Sequence, residues 1–144
     1  MILYLDTSAL VKRYFQEPYS SDVADLWKRA SEIVISSVGY AETLAAFYRK
    51  KREAALRDRE VKRTVEAFQT DWSSFIRVTV SDQLNAIVDV LVSRHPLRGF
   101  DVIHLASALT VKKRLKEEFL FCCFDDRLLD AARKEGLETF ATEA

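Results

Sequence analysis

The sequence predicts an α/β fold, a three-layer sandwich with a mostly parallel central sheet of four to five strands flanked by helices. Three observations predict it. Short apolar runs alternate with longer helical patterns along the chain, the order that places helices on both faces of a parallel sheet. Two of the runs, ILYL (2 to 5) and FLFCCF (119 to 124), are apolar throughout, as strands buried on both faces are. With 144 residues, three Gly, two Pro, no internal repeat and no low-complexity tract, the chain has little room for a linker and reads as a single domain over 1 to 144.

The elements follow in order. ILYLD (2 to 6) is a strand, followed by helices over 8 to 15 and roughly 20 to 30, and EIVISS (32 to 37) is the next strand. From 38 to 75 the pattern gives two helices meeting near Arg57 and Asp58. IRVTV (76 to 80) alternates as a strand before Ser81 caps another helix. RGFDVIHLASAL (98 to 109) carries apolar residues around nearly its whole circumference, which marks a buried helix. FLFCCF is a buried strand, DDRLLDAARKEG (125 to 136) a helix stopped by Gly136, and LETF (137 to 140) a terminal strand.

Composition excludes little by charge, because Lys plus Arg equals Asp plus Glu at 22 each, and local clusters must decide the partner. Cys122 and Cys123 are adjacent in an apolar run, where successive side chains point to opposite faces and cannot bridge without strain. They read as reduced core residues, and two thiols alone make no zinc site. MILYLD meets an acid after five residues and no later apolar run approaches the length of a membrane span. A soluble, cytoplasmic protein with no membrane association is expected.

The acids carry the chemistry. In open α/β sheets ligands bind beyond the carboxyl ends of the strands, and Asp6 directly follows ILYL while Asp125 directly follows FLFCCF. Asp101 lies in the first turn of its buried helix, and Glu42 lies early in the helix after EIVISS, off the stripe of Tyr40, Leu44, Phe47 and Tyr48. Each acid alone suits a cap or a solvated face. Four at one end of the elements would repel and raise one another's pKa, a conflict that a divalent ion removes. Oxygen donors without a His or Cys cluster favour Mg²⁺ or Mn²⁺ over zinc. His95, before Pro96, is expected at the surface, and His104 in a structural role.

MILYLDTSALVKRY, the helix-borne Glu of SSVGYAET, FDVIHLASAL and FDDRLLDAARKEGL together resemble a PIN domain, specifically a VapC-type toxin of bacterial or archaeal toxin-antitoxin pairs. The likeness spans nearly the whole chain in order and spacing. It implies a PIN-like fold and an endoribonuclease in which Asp6, Glu42, Asp101 and Asp125 are the catalytic acids and hold one or two Mg²⁺ or Mn²⁺ ions. It makes Ser8 a contact to metal or phosphate from behind the acids. FDDRLL fits the family's F-D-x-R-L pattern, which selects Asp125 as the ligand and leaves Asp126 as an accessory acid. One departure is Cys123, where the family often has Thr or Ser, so a hydrogen bond there is expected to be lost. The resemblance also implies a small antitoxin of the VapB type, whose tail covers the acidic pocket, and a homodimer.

RNA requires positive charge outside the pocket. RKKREAALRDREVKR (49 to 63) has eight basic residues against three acidic ones, and KKRLK (112 to 116) adds four. Arg49, Lys50 and Arg52 follow Glu42 by about two helical turns and are the candidate nucleic-acid contacts. A phosphotransfer receiver is the nearest rival, but its acid pair comes early and its phosphorylated Asp follows a middle strand, whereas IRVTV exits into Ser81 and Asp82. A haloacid-type phosphatase needs a second Asp where Ser8 stands. A non-catalytic nucleic-acid-binding or regulatory α/β module with an acidic metal pocket stays the alternative.

Overall fold

The computed structural model describes residues 1–142. Strands β1 (Ile2–Leu5), β2 (Glu32–Ser36), β3 (Ile76–Val78) and β4 (Phe119–Cys122) form one sheet in the order β3-β2-β1-β4, every pair parallel. The helices are α1 (Thr7–Val11), α2 (Ser20–Arg29), α3 (Gly39–Ala54), α4 (Asp58–Trp72), α5 (Asp82–Arg94), α6 (Gly99–Arg114) and α7 (Asp126–Lys134).

The alternation of side chains along β1 builds two cores. Ile2 and Tyr4 face a cluster with Val34, Leu91, Val102, Leu105, Phe121 and Leu128, under α5, α6 and α7. Leu3 and Leu5 face Leu10, Val23, Ile35, Phe47 and Phe68, under α1 to α4. Burying each such large side chain contributes on the order of 1.5–3 kcal/mol, so both faces of the sheet hold the fold. Cys122 and Cys123 fall in opposite clusters, buried and free. Helix α6 is buried at Val102 and from His104 through Ala108, as its all-round apolar pattern predicts.

Several elements are shorter than their sequence patterns, each for a local reason. β1 stops at Leu5 because Asp6 turns to cap α1, and β4, paired to Leu5 through Cys122, stops with it. α1 ends at Val11, and residues 12 to 14 continue only as turns before a bend at Phe15, with Tyr14 and Phe15 N–H both donating to the Val11 carbonyl. β3 ends at Val78 because its partner β2 ends at Ser36. LETF is not a strand: it makes one bridge, Phe121 to Thr139, after Gly136 turns the chain at φ +86°. The junction of α3 and α4 lies where expected, with Ala55 in the left-handed region and Arg57 preceding α4. Ser81 Oγ caps α5 by accepting from Leu84 N–H at 3.2 Å. His95 is not at the surface. It is buried, and its Nε2 lies 2.6 Å from Glu135 Oε2, because the C-terminal ends of α5 and α7 are tied together there.

Candidate active site

Asp6 leaves β1 and caps α1: its Oδ1 accepts from Ala9 N–H at 3.0 Å. The Ser8 hydroxyl shares its proton between Oδ1 at 2.7 Å and Oδ2 at 2.9 Å, and Ser8 Oγ in turn accepts from Phe124 N–H at 3.0 Å. A hydroxyl therefore locks the exit of β1 to the exit of β4. Asp6 is only 4% exposed, and its carboxyl is pushed up to about 6. Burial is the main cause; His104, Ser8 and the Ala9 amide pull the other way, and Asp101 adds like charge.

Glu42 projects from the first turn of α3, half-buried. Its Oε1 accepts from Thr7 Oγ1 at 2.9 Å and meets His104 Nε2 at 2.7 Å, while His104 Nδ1 lies 2.8 Å from the Tyr4 hydroxyl. Partial burial works to raise the Glu42 carboxyl, but the His104 hydrogen bond and charge, with Thr7, outweigh it and hold it below the usual range. His104 is buried and braced on Tyr4, a structural role as expected, and its hydrogen-bond partner is Glu42 rather than Asp101.

Asp101 sits in the first turn of α6, raised above the ordinary carboxylate range by burial first, then by Asp125 and Glu42, against His104 and Arg98. Asp125 is exposed and caps α7, its Oδ1 accepting from Leu128 N–H at 3.0 Å. Asp126 is exposed in the first turn of α7. At Cys123 a long thiol contact of 3.8 Å to the Asp125 carbonyl takes the place of a hydroxyl hydrogen bond.

Two cavities meet here. The larger, of about 860 Å³, is walled by Ser8, Glu42, Arg49, Lys50, Phe100 and Phe124 among others. The smaller, of about 440 Å³, is walled by Arg98, Asp101, Asp125, Asp126 and again Phe124. The structure thus brings Asp6, Glu42, Asp101 and Asp125 to one end of the sheet, each within the electrostatic field of another. Among the described residues no three His, Cys, Asp or Glu side chains stand close enough to enclose an ion as placed. The physical reason is visible: Asp6, Glu42 and Asp125 are engaged in caps and side-chain hydrogen bonds. The donor set itself, carboxylates from four segments at one end of the sheet with Asp6 and Asp101 raised by burial and like charge, fits a hard divalent cation. Among the described residues no Lys or Arg forms an ion pair with Asp6, Asp101 or Asp125.

The three basic candidates separate. Helix positions 42, 45, 46, 49 and 53 form one stripe on the larger cavity, so Arg49 shares its wall with Glu42. Lys50 reaches the same wall but is ion-paired to Glu17. Arg52 is exposed and turns away from that stripe. Sequence reasoning missed Tyr4, Thr7, Phe100 and Phe124. Thr7 adjoins Asp6 and Phe100 adjoins Asp101, so chain proximity to an acid was the available signal.

A family model for the PIN domain matches residues 3–134. Ribonuclease VapC45 of Mycobacterium tuberculosis (strain CDC 1551 / Oshkosh) is 34% identical over 114 residues, 76% of this chain and 76% of that one. Among solved structures, FitAcB from Neisseria gonorrhoeae shares the fold with a TM-score of 0.68 at 17% identity, covering 98% of this chain and 97% of the other. A toxin-antitoxin complex from Klebsiella pneumoniae does so with a TM-score of 0.59 at 18% identity, over 82% and 83% of the two chains.

Proposed function

Because the chain belongs to the PIN domain family, we propose that it is a one-domain, metal-dependent endoribonuclease and the toxin of a toxin-antitoxin pair. The observation that carries this reading is the convergence of Asp6, Glu42, Asp101 and Asp125 where β1 and β4 end, with Asp6 and Asp101 both raised, first by burial and then by like charge, from Asp101 on Asp6 and from Asp125 and Glu42 on Asp101. The relative named a ribonuclease, matched over 76% of this chain and 76% of its own length, supports the activity.

In this reading Asp6 and Asp101 hold the principal Mg²⁺ or Mn²⁺, and Glu42 and Asp125 complete its surroundings or hold a second ion. When bound, the ion polarises the phosphodiester and makes a water nucleophilic near neutral pH. Ser8 fixes the rotation of the Asp6 carboxylate, and His104 with Thr7 fixes Glu42, so the acids meet the ion with little freedom left to lose. Arg49 draws the phosphate backbone along α3 toward them. Asp126 adds an acid on the opposite rim. The antitoxin is a protein that covers this cleft, a reading supported by the toxin-antitoxin complex among the structural neighbours. The toxin acts as a homodimer in the cytoplasm, where its two free thiols stay reduced.

The openness of the acid cluster favours a second reading, a non-catalytic nucleic-acid-binding or regulatory module with an acidic pocket. Sequencing the ends of RNA fragments made by the purified protein with Mg²⁺ or Mn²⁺, beside Asp6→Asn and Asp101→Asn, separates the two. Discrete ends that vanish in both variants are expected. Calorimetric Mn²⁺ binding without cleavage by the unsubstituted protein would leave the second reading in place.

A further inference from the structure

Phe100 is 57% exposed, the most exposed of the large hydrophobic side chains in the described chain. It belongs to neither core cluster, and among the described residues no other ring packs on it. Phe124, across the same cavity, is by contrast stacked on Tyr19 and covered by the Lys12 ammonium. Phe100 is thus an unpartnered aromatic face on a cavity wall that it shares with the small apolar groups Val38, Ala41, Ala45 and Ala46 and with the polar and charged side chains of α3, Arg49 and Glu42 among them.

Resting on the ribonuclease reading, we propose that Phe100 is the stacking platform for an unpaired nucleobase adjoining the phosphodiester at the acids. Three features of the cavity select this occupant. Phe100 lies in the first turn of α6 beside Asp101 and lines the same cavity as Ser8 and Glu42, so the ring stands at the edge of the acid cluster, where the nucleotides flanking a scissile phosphate must lie. The cavity pairs its apolar wall with the Arg49 guanidinium, which among the described residues forms no ion pair, while Lys12 and Lys50 on the same wall are both paired to Glu17; an aromatic face beside a cation is the combination that single-stranded nucleic acid uses. Its volume of about 860 Å³ lies within the range of roughly 300–1,000 Å³ that accepts a small-molecule ligand. A base held in a duplex has both faces covered by its neighbours, so the platform admits unpaired nucleotides and tolerates any base identity.

The test uses the full chain with Phe100→Leu and Phe100→Trp. Leu keeps an apolar side chain without a π face, and Trp keeps the face. The probe is a single-stranded oligoribonucleotide with 2-aminopurine at successive positions, followed by fluorescence without added divalent ion and by cleavage with Mn²⁺. One position is expected to be quenched by the unsubstituted protein and by Phe100→Trp. Phe100→Leu should lose the quench and bind about fivefold to a hundredfold more weakly, with an unchanged melting midpoint because the ring is exposed. Equal binding and quenching by Phe100→Leu would overturn the proposal, as would equal losses in both variants. Loss of affinity for a co-purifying protein, with RNA behaviour intact, would assign the ring to a protein interface instead and also overturn it. If the unsubstituted protein neither binds nor cuts the RNA, the ribonuclease reading itself falls.

Discussion

Glu42 on α3 and His104 on α6, 62 residues apart, meet through a 2.7 Å hydrogen bond. A carboxylate held below its usual range only accepts, so the proton of that bond is assigned to Nε2. The other ring nitrogen, Nδ1, lies 2.8 Å from the Tyr4 hydroxyl. Core, ring and acid thus form one chain of hydrogen bonds from the floor of the sheet to the cleft.

His104→Ala should therefore cost stability as well as function. It removes the ring partner of the buried Tyr4 hydroxyl, which keeps only Ser107 and the Ser36 backbone nearby, and leaves Glu42 with Thr7 alone, a loss of about 1–3 kcal/mol, the range for a buried polar group that loses its partner. Glu42→Gln keeps an oxygen acceptor for both donors and should cost less. Urea unfolding of the two variants checks the order; a His104→Ala midpoint equal to the unsubstituted one would contradict it.

Asp6 sets a pH dependence whose sign is opposite to that of an ordinary salt-bridged acid. Its folded-state value of about 6 lies above its ordinary 3.8, so the folded state takes up the proton first as pH falls. That contribution to the ion-free protein is fully present below about pH 4 and is lost as pH rises through about 6. Asp6→Asn removes the buried charge and should raise ion-free stability at pH 7.5 by roughly 1–2 kcal/mol, with no gain near pH 4. Added Mn²⁺ should stabilise only the unsubstituted protein. Thermal melts across this range, with and without Mn²⁺, would show a pH-independent difference if burial of the charge were immaterial.

Arg49, Lys50 and Arg52 should differ in their effect on RNA binding although they are near neighbours. Arg49→Ala removes an unpaired charge on the cleft wall and should lower the slope of affinity against salt by about one ion. Lys50→Ala should have less effect, because Glu17 already neutralises that ammonium, and Arg52→Ala should have none. Filter binding at several salt concentrations distinguishes this order from three equal losses, which would mean a diffuse basic face.

Gly39 opens α3, and a Cβ there would lie 2.5 Å from Ile35 Cδ1 and 2.8 Å from Cγ1. Ile35 is fully buried in β2, so its side chain has nowhere to retreat. Gly39→Ala should destabilise by about 1–3 kcal/mol, typical of overpacking, and shift the helix that carries Glu42. A melting point raised by the better helix former would show that Ile35 yields.

The sheet, the helical order and the end of the fold where acids gather were legible because they depend on local periodicity and on strand exits. The ends of the elements were not, because they depend on partners: β3 stops where β2 stops, and LETF finds only Phe121 to pair with. His95 looked like a surface residue because the Glu135 that buries it lies 40 residues away. Glu42 could be placed off its apolar stripe, but nothing local told of His104. Phe100 reads in sequence as one more apolar residue of a buried helix, and only the packed chain reveals that its ring was left outside.

The Ser8 hydroxyl that receives the Phe124 amide ties the order of folding to the cleft. During synthesis Asp6, Glu42 and Asp101 all emerge before β4 does, yet Ser8, which orients the Asp6 carboxylate, gains its own backbone donor only when residue 124 docks. The local cap from Ala9 N–H can form early, but the link between the exits of β1 and β4 is among the last to close.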